Sequence, residues 1–116
     1  MLRVENITRA AVLVDRGRLA NTFWTRLRGL MGVRNLPAGD GLLLKPANQI
    51  HTHFMAIPID VLYLDAESRV MDMDAALPPG KFGRLRRKAR AVLELPAGAI
   101  QAHGVQPGDQ LRITVA

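Results

Sequence analysis

Aliphatic and β-branched residues fall in runs of four to six along the whole chain, and most runs are closed by proline, glycine or an Asn/Asp turn. Runs that short do not make long helices, and several alternate with the period of two that belongs to strands. Residues 2–7 (LRVENI) and 11–15 (AVLVD) are joined by Thr8-Arg9-Ala10, about the length of a hairpin connection. Residues 41–44, 50–55, 59–64 and 91–95 are further strand candidates, with 56–58 as a break because proline donates nothing to a sheet ladder. Asp65-Ala66-Glu67-Ser68 reads as a hairpin turn and 69–73 as its return strand. Residues 99–103 suit one helical turn ended by Gly104, and 110–115 a last strand with Leu111, Ile113 and Val115 on one face.

The period changes once. Phe23, Trp24, Leu27, Leu30 and Met31 fall on one face of a helix, with Arg26 and Arg28 off it. Asn21 or Thr22 can cap its start and Gly32 can end it, so the pattern predicts a helix laid as a lid on the core. About eight short strands, one helix and no βαβ alternation predict a single domain of 116 residues. Its expected form is an antiparallel β-sandwich or jelly-roll-like barrel with one packed α-helix.

Composition narrows the chemistry. Hydrophobic residues make up 48% and charged residues 22%, enough for a core. There is no cysteine, which removes disulfides, thiolate metal sites and thiol nucleophiles. No segment has the apolar length of a membrane span, and the first residues alternate too strongly for a signal peptide; a cytoplasmic protein is the expectation. No cofactor fingerprint, phosphate loop or serine elbow is present, so no cofactor is expected. The net charge is +6, but of the three phenylalanines, one tryptophan and one tyrosine only Phe82 falls within the main basic run, at its start. Stacking on single-stranded bases is therefore disfavoured, and nucleic acid is not the expected partner.

Three groups of residues could carry chemistry. His51 and His53 would leave one face of a strand together, and Asp60, Glu94 or His103 could complete an open three-ligand metal site; the alternative is a pair of ordinary sheet-edge histidines. Asp60 opens an apolar run and, by alternation, shares the side of Leu62 and Leu64. A carboxylate so placed must find a partner or shift its pKa. Arg26, Arg28 and His51 are candidate partners, and a cap on backbone N–H groups is the plainer role. Lys81, Arg84, Arg86, Arg87, Lys88 and Arg90 form a basic run able to meet phosphates, or to answer the acidic residues that precede it.

Three motifs taken together, TRLRGLMG at 25–32, HTHFM with PID at 51–60, and VLELPAG at 92–98, resemble the domain of unknown function family 192, also called uncharacterised protein family 0127. The resemblance runs along nearly the full chain. It implies a small, mainly-β, jelly-roll-like fold with a helix at the Arg-x-x-Gly-Leu-Met motif, and no activity or cofactor established for the family as such. The positions that carry it are Arg26, Gly29, Leu30, Met31, Met55, Pro58, Asp60, Glu94 and Gly98. Many relatives have an aromatic residue where this chain has His53, which weighs against a histidine metal site. The resulting expectation is a binding or accessory module. A small cleft would be formed by Arg26, His51, Met55, Asp60 and Glu94 and shaped by an Arg26–Asp60 ion pair. A metal-dependent enzyme using His51 and His53 is the alternative, and phosphate-backbone binding by the basic run is a further one.

Overall fold

A computed structural model describes residues 1–115. Among them, the strands are β1 (Leu2–Asn6), β2 (Ala11–Ala20), β3 (Gly39–Leu44), β4 (Ile59–Leu64), β5 (Val70–Leu77), β6 (Ala91–Pro96) and β7 (Leu111–Val115). They form one mixed sheet in the order β5-β4-β6-β3-β2-β1-β7. Two short helices accompany it, α1 (Phe23–Arg28) and α2 (Ala99–His103). The mainly-β expectation holds, as do both hairpins and the single turn of α2 ended by Gly104. The sheet itself departs from the purely antiparallel scheme.

β2 and β3 pair in parallel, from Val14 against Gly39 to Ala20 against Leu44. Parallel neighbours need a crossover rather than a hairpin. Residues 21–38, with α1 inside them, supply it. The two ends of the sheet also approach each other: Arg69 bridges Gln110, and Val70 N–H donates to the Asp109 carbonyl at 2.9 Å. The product is a curled sheet, a half-barrel, instead of two stacked sheets.

Curling gives the sheet an inner and an outer core. The inner one draws on all seven strands, with Leu2, Val4, Leu13, Val14, Leu43, Leu62, Leu64, Val70, Leu93, Leu95 and Leu111 buried together and Ala99 and Ile100 of α2 packed on them. The outer one covers β3, β4 and β6 with Leu42, Leu44, Ile59, Val61, Tyr63 and Val92, closed by Leu30, Ile50, Met55 and Ala89 from the connections. β4 is consequently buried at every position, and β6 at all but its last. Period-two alternation explains the division, because successive side chains of a strand leave by opposite faces.

The segment 50–55 is not the strand its residues suggest. Only His51 bridges, to Phe82, and Phe54 turns out at φ 63 with 83% of its surface exposed. Buried Thr52 organises the loop instead. Its hydroxyl donates to the Pro78 carbonyl at 2.7 Å and accepts from Lys81 N–H at 2.8 Å, while its own N–H donates to the Lys81 carbonyl at 2.7 Å. Gly83 is packed so tightly that a Cβ would sit 2.8 Å from the Tyr63 hydroxyl, so no larger residue fits this crossing of the loops 45–58 and 78–90.

α1 also differs from expectation. Thr22 caps it, with Thr25 N–H donating to the Thr22 hydroxyl at 3.1 Å and Thr22 N–H to the Thr25 hydroxyl at 3.0 Å. It ends at Gly29 (φ 50) rather than at Gly32, and it buries none of its own residues. Phe23 and Trp24 are 63% and 73% exposed, and only Leu30, just past the helix, enters the core. The helix is a rim element, not a lid.

Candidate functional site

Beneath α1, on the outer face, lies a pocket of about 210 Å³. Its walls come from residues 26–31, from Leu44, from 46–51 and from Met55, and Glu94 of β6 lies at its floor. The crossover that makes β2 and β3 parallel thus also builds one side of the site. The stitched loop 45–58 builds the other.

Glu94 is the residue that sets this pocket apart. Its register partners across the sheet are Leu42 on β3 and Val61 on β4, and Val92 precedes it on the same face. The side chain is 2% exposed, and no hydrogen bond or ion pair among the described residues reaches it; Oε1 is fully buried without a partner. Burial pushes its carboxyl up to about 8, so at neutral pH the group is largely a neutral acid able both to donate and to accept. Gly29 opposes it: a Cβ there would stand 3.8 Å from Glu94 Oε1, which leaves space, and the constraint on that position is its positive φ.

A second residue of the pocket lining also carries an unpaired buried atom. His51 Nε2 lies 3.2 Å from the Leu27 carbonyl, so the tautomer with hydrogen on Nε2 donates there and leaves Nδ1 a buried acceptor without a partner. Three buried side-chain polar atoms lack partners among the described residues, and Glu94 Oε1 and His51 Nδ1 are two of them. Buried polar groups are otherwise nearly always paired, because desolvation without a hydrogen bond costs about 1–3 kcal/mol each. Both atoms belong to residues that line one pocket, which makes it the candidate site.

At the mouth, half-buried Arg26 donates to the Thr22 and Pro46 carbonyls, at 3.2 and 2.9 Å, and exposed Arg28 stands beside it. Neither guanidinium has a carboxylate partner within ion-pair distance among the described residues. The expected Arg26–Asp60 ion pair is absent for a reason of parity. Asp60 pairs in register with Leu95 and leaves β4 toward the inner core, the opposite face from α1. There it accepts N–H groups from Ala76 at 2.8 Å, Gly98 at 3.1 Å and Ile100 at 2.9 Å. It holds a positive-φ residue of β5 and caps the start of α2 from a distance. Of the expected cleft residues, Arg26, His51, Met55 and Glu94 do meet; Asp60 does not join them.

The histidines and the basic run fall elsewhere. The His51 and His53 rings stack with centroids 5.7 Å apart, and the His53 ring meets Phe82 edge-on at 4.6 Å. No group of three or more metal-ligating side chains forms among the described residues, so Asp60, Glu94 and His103 do not complete that pair. In the basic run, Arg86 turns inward: it lies 3.8 Å over the Tyr63 ring and pairs with Asp72 at 2.9 Å and Asp74 at 3.1 Å. Its hydrogen bond holds the Asp72 carboxyl below the usual range. Arg84 also reaches Asp72, at 3.3 Å, whereas Lys81, Arg87, Lys88 and Arg90 are exposed. The charge of the run is thus answered in part by the acids of β5, and its one buried member cannot face a phosphate backbone.

Comparison with known proteins bears on the family and the fold. A UPF0127 protein of Thermococcus gammatolerans is 36% identical over 108 residues, covering 90% of this chain and 70% of the relative. One from Pyrococcus furiosus is 31% identical over 111 residues, covering 91% and 93%. Among solved structures, a Novosphingobium aromaticivorans protein of unknown function superposes with a TM-score of 0.83 at 25% identity, over 96% of this chain and 82% of that one. A Sinorhizobium meliloti protein, described as a candidate transcription regulator, shares the fold with a TM-score of 0.81 at 24% identity, over 96% and 90%. The model of the domain of unknown function family 192, described as an uncharacterized ACR, matches residues 5–113, and the chain belongs to that family.

Proposed function

We propose that this protein is a small-molecule binding module whose ligand enters beneath α1 and is held against Glu94. One observation carries the reading: a carboxyl almost wholly removed from water, with no protein partner, at the floor of a pocket open to the outside. A fold under selection for stability alone pairs such a group or replaces it with an apolar residue. The apolar wall of Leu30, Leu44, Ile50 and Met55 around a few polar atoms is the usual make-up of a ligand site. The loops are preorganised by Thr52 and need not fold around the ligand.

A fragment screen followed by NMR of the methyl-labelled protein tests this reading. Hits are expected to move Met31 and Met55 methyl signals and the Gly29 and His51 amides together. Ala47→Phe, which places a ring at the mouth, is expected to abolish those shifts while leaving the spectrum of the inner core unchanged. Fragments that scatter over the surface, or that bind the Ala47→Phe protein equally well, overturn the proposal.

A further inference from the structure

The segments that frame the pocket share a property that its lining alone does not reveal. Between Asp15 and Asp40 there is no acidic residue, and between Asp40 and Asp60 there is none either. All of the walls come from these two stretches, so among the described residues the only carboxyl lining the site is Glu94 itself. The two stretches carry Arg18, Arg26, Arg28, Arg34 and Lys45, none of which has an acidic partner among the described residues. By contrast, Arg16, at the end of the first stretch, is paired with Asp15 and Asp40. Burial grades the same way as charge: Arg28 is exposed, Arg26 half-buried and Glu94 buried.

The geometry points to a small organic anion as the ligand, seated with a neutral hydroxyl or carbonyl end toward Glu94 and its negative end at Arg26 and Arg28. This rests on the pocket reading above and adds the ligand's polarity. The floor suits an uncharged group: a protonated carboxyl donates one hydrogen bond and accepts others. The middle of the pocket, walled by Leu30, Leu44, Ile50 and Met55, suits a short aliphatic body. The mouth then meets the charge where solvent still reaches it and two guanidiniums await a counter-ion. A cationic ligand would have to pass both arginines, and its only attraction would be an ionised Glu94 in a setting that disfavours ionisation. Nucleic acid is a poor occupant, since a phosphodiester chain cannot place a neutral end on a floor this enclosed.

A matched set of probes tests the polarity: γ-hydroxybutyrate, its amide and the amino alcohol of the same length, each titrated into the full chain and followed by the Met55 methyl and Gly29 amide signals. The anion is expected to bind about tenfold more tightly than the amino alcohol, the scale of two partly exposed charge pairs. Arg28→Gln, at an exposed position with no hydrogen bond to lose, is expected to narrow that gap, and Arg26→Gln to narrow it further. An amino alcohol that binds as well as the anion overturns the inference, as does a preference unchanged in both variants. If unrelated fragments occupy the pocket but none of the three probes does, this inference fails and the pocket reading stands. If nothing occupies the pocket, the pocket reading fails first.

Discussion

Asp60 and Glu94 sit on adjacent strands, one register step apart, and both are almost wholly buried. Their surroundings could hardly differ more. Asp60 leaves β4 toward the inner core and takes three backbone N–H groups. Glu94 leaves β6 toward the outer face, between Leu42 and Val61, and takes none. A buried carboxylate with several amide donors belongs to the architecture, because the donors as well as the acid depend on the arrangement. A buried carboxyl without them weakens the fold that holds it, and such a weakness in a pocket marks a candidate site.

The contrast can be broken by substitution, and the largest effect belongs to Asp60. Asp60→Ala orphans the amides of Ala76, Gly98 and Ile100 at once and is expected to destabilise by about 3 kcal/mol in urea unfolding. Asp60→Asn, which keeps one carbonyl acceptor, is expected to lose less. A loss below about 1 kcal/mol for the alanine variant would mean that water replaces the carboxylate and that Asp60 is no cornerstone.

Glu94→Gln should act in the opposite direction. The folded protein keeps the Glu94 proton up to about pH 8, while the unfolded chain releases it near the ordinary value of 4.5. The folded state therefore holds more protons in that window. The Glu94 contribution to stability is greatest below pH 4.5, falls as pH rises through the window, and levels off above pH 8. A neutral amide removes that slope. Glu94→Gln is expected to be more stable than the parent by about 1–3 kcal/mol at pH 8, and to match it closely at pH 4.5. Parallel pH profiles for the two proteins would show that Glu94 is not held neutral by burial.

The smallest effect sharpens the picture of the pocket's rim. Trp24→Ala on α1 is expected to change stability by less than about 0.5 kcal/mol, because the indole is 73% exposed and meets the neighbouring Phe23 ring edge-on, with centroids 5.1 Å apart. A loss above about 1 kcal/mol in the same unfolding experiment would return α1 to the role of a packed lid.

Much of this was legible from local pattern. Pro58 marks the start of β4, Pro96-Ala97-Gly98 leads into α2, and Asp65–Ser68 turns one hairpin, because proline, glycine and Asx turns act within a few residues of themselves. Glu94 was visible as a charge inside an apolar run, but only the pairing of β6 between β3 and β4 shows that nothing answers it. The segment 50–55 reads as a strand because its residue types favour one, yet the Ile50 carbonyl and the Thr52 N–H and C=O are spent on the loop at 78–83, and the Phe54 carbonyl on Gly32.

What the sequence by itself determined is the short period-two runs, their turns, a helix cap at Asn21 or Thr22, and the parity that sends Asp60 with Leu62 and Leu64. Those are properties of residues near one another in the chain. What only the tertiary structure decided is which face α1 covers, since that depends on a parallel crossover between β2 and β3, and hence which of two buried acids lies under it. Alternation fixes a side relative to neighbours on the same strand; it does not say which side the next element will choose. Arg26 and Asp60 therefore looked like partners in the chain and stand on opposite faces of the sheet, while Arg26 and Glu94 look onto the same pocket.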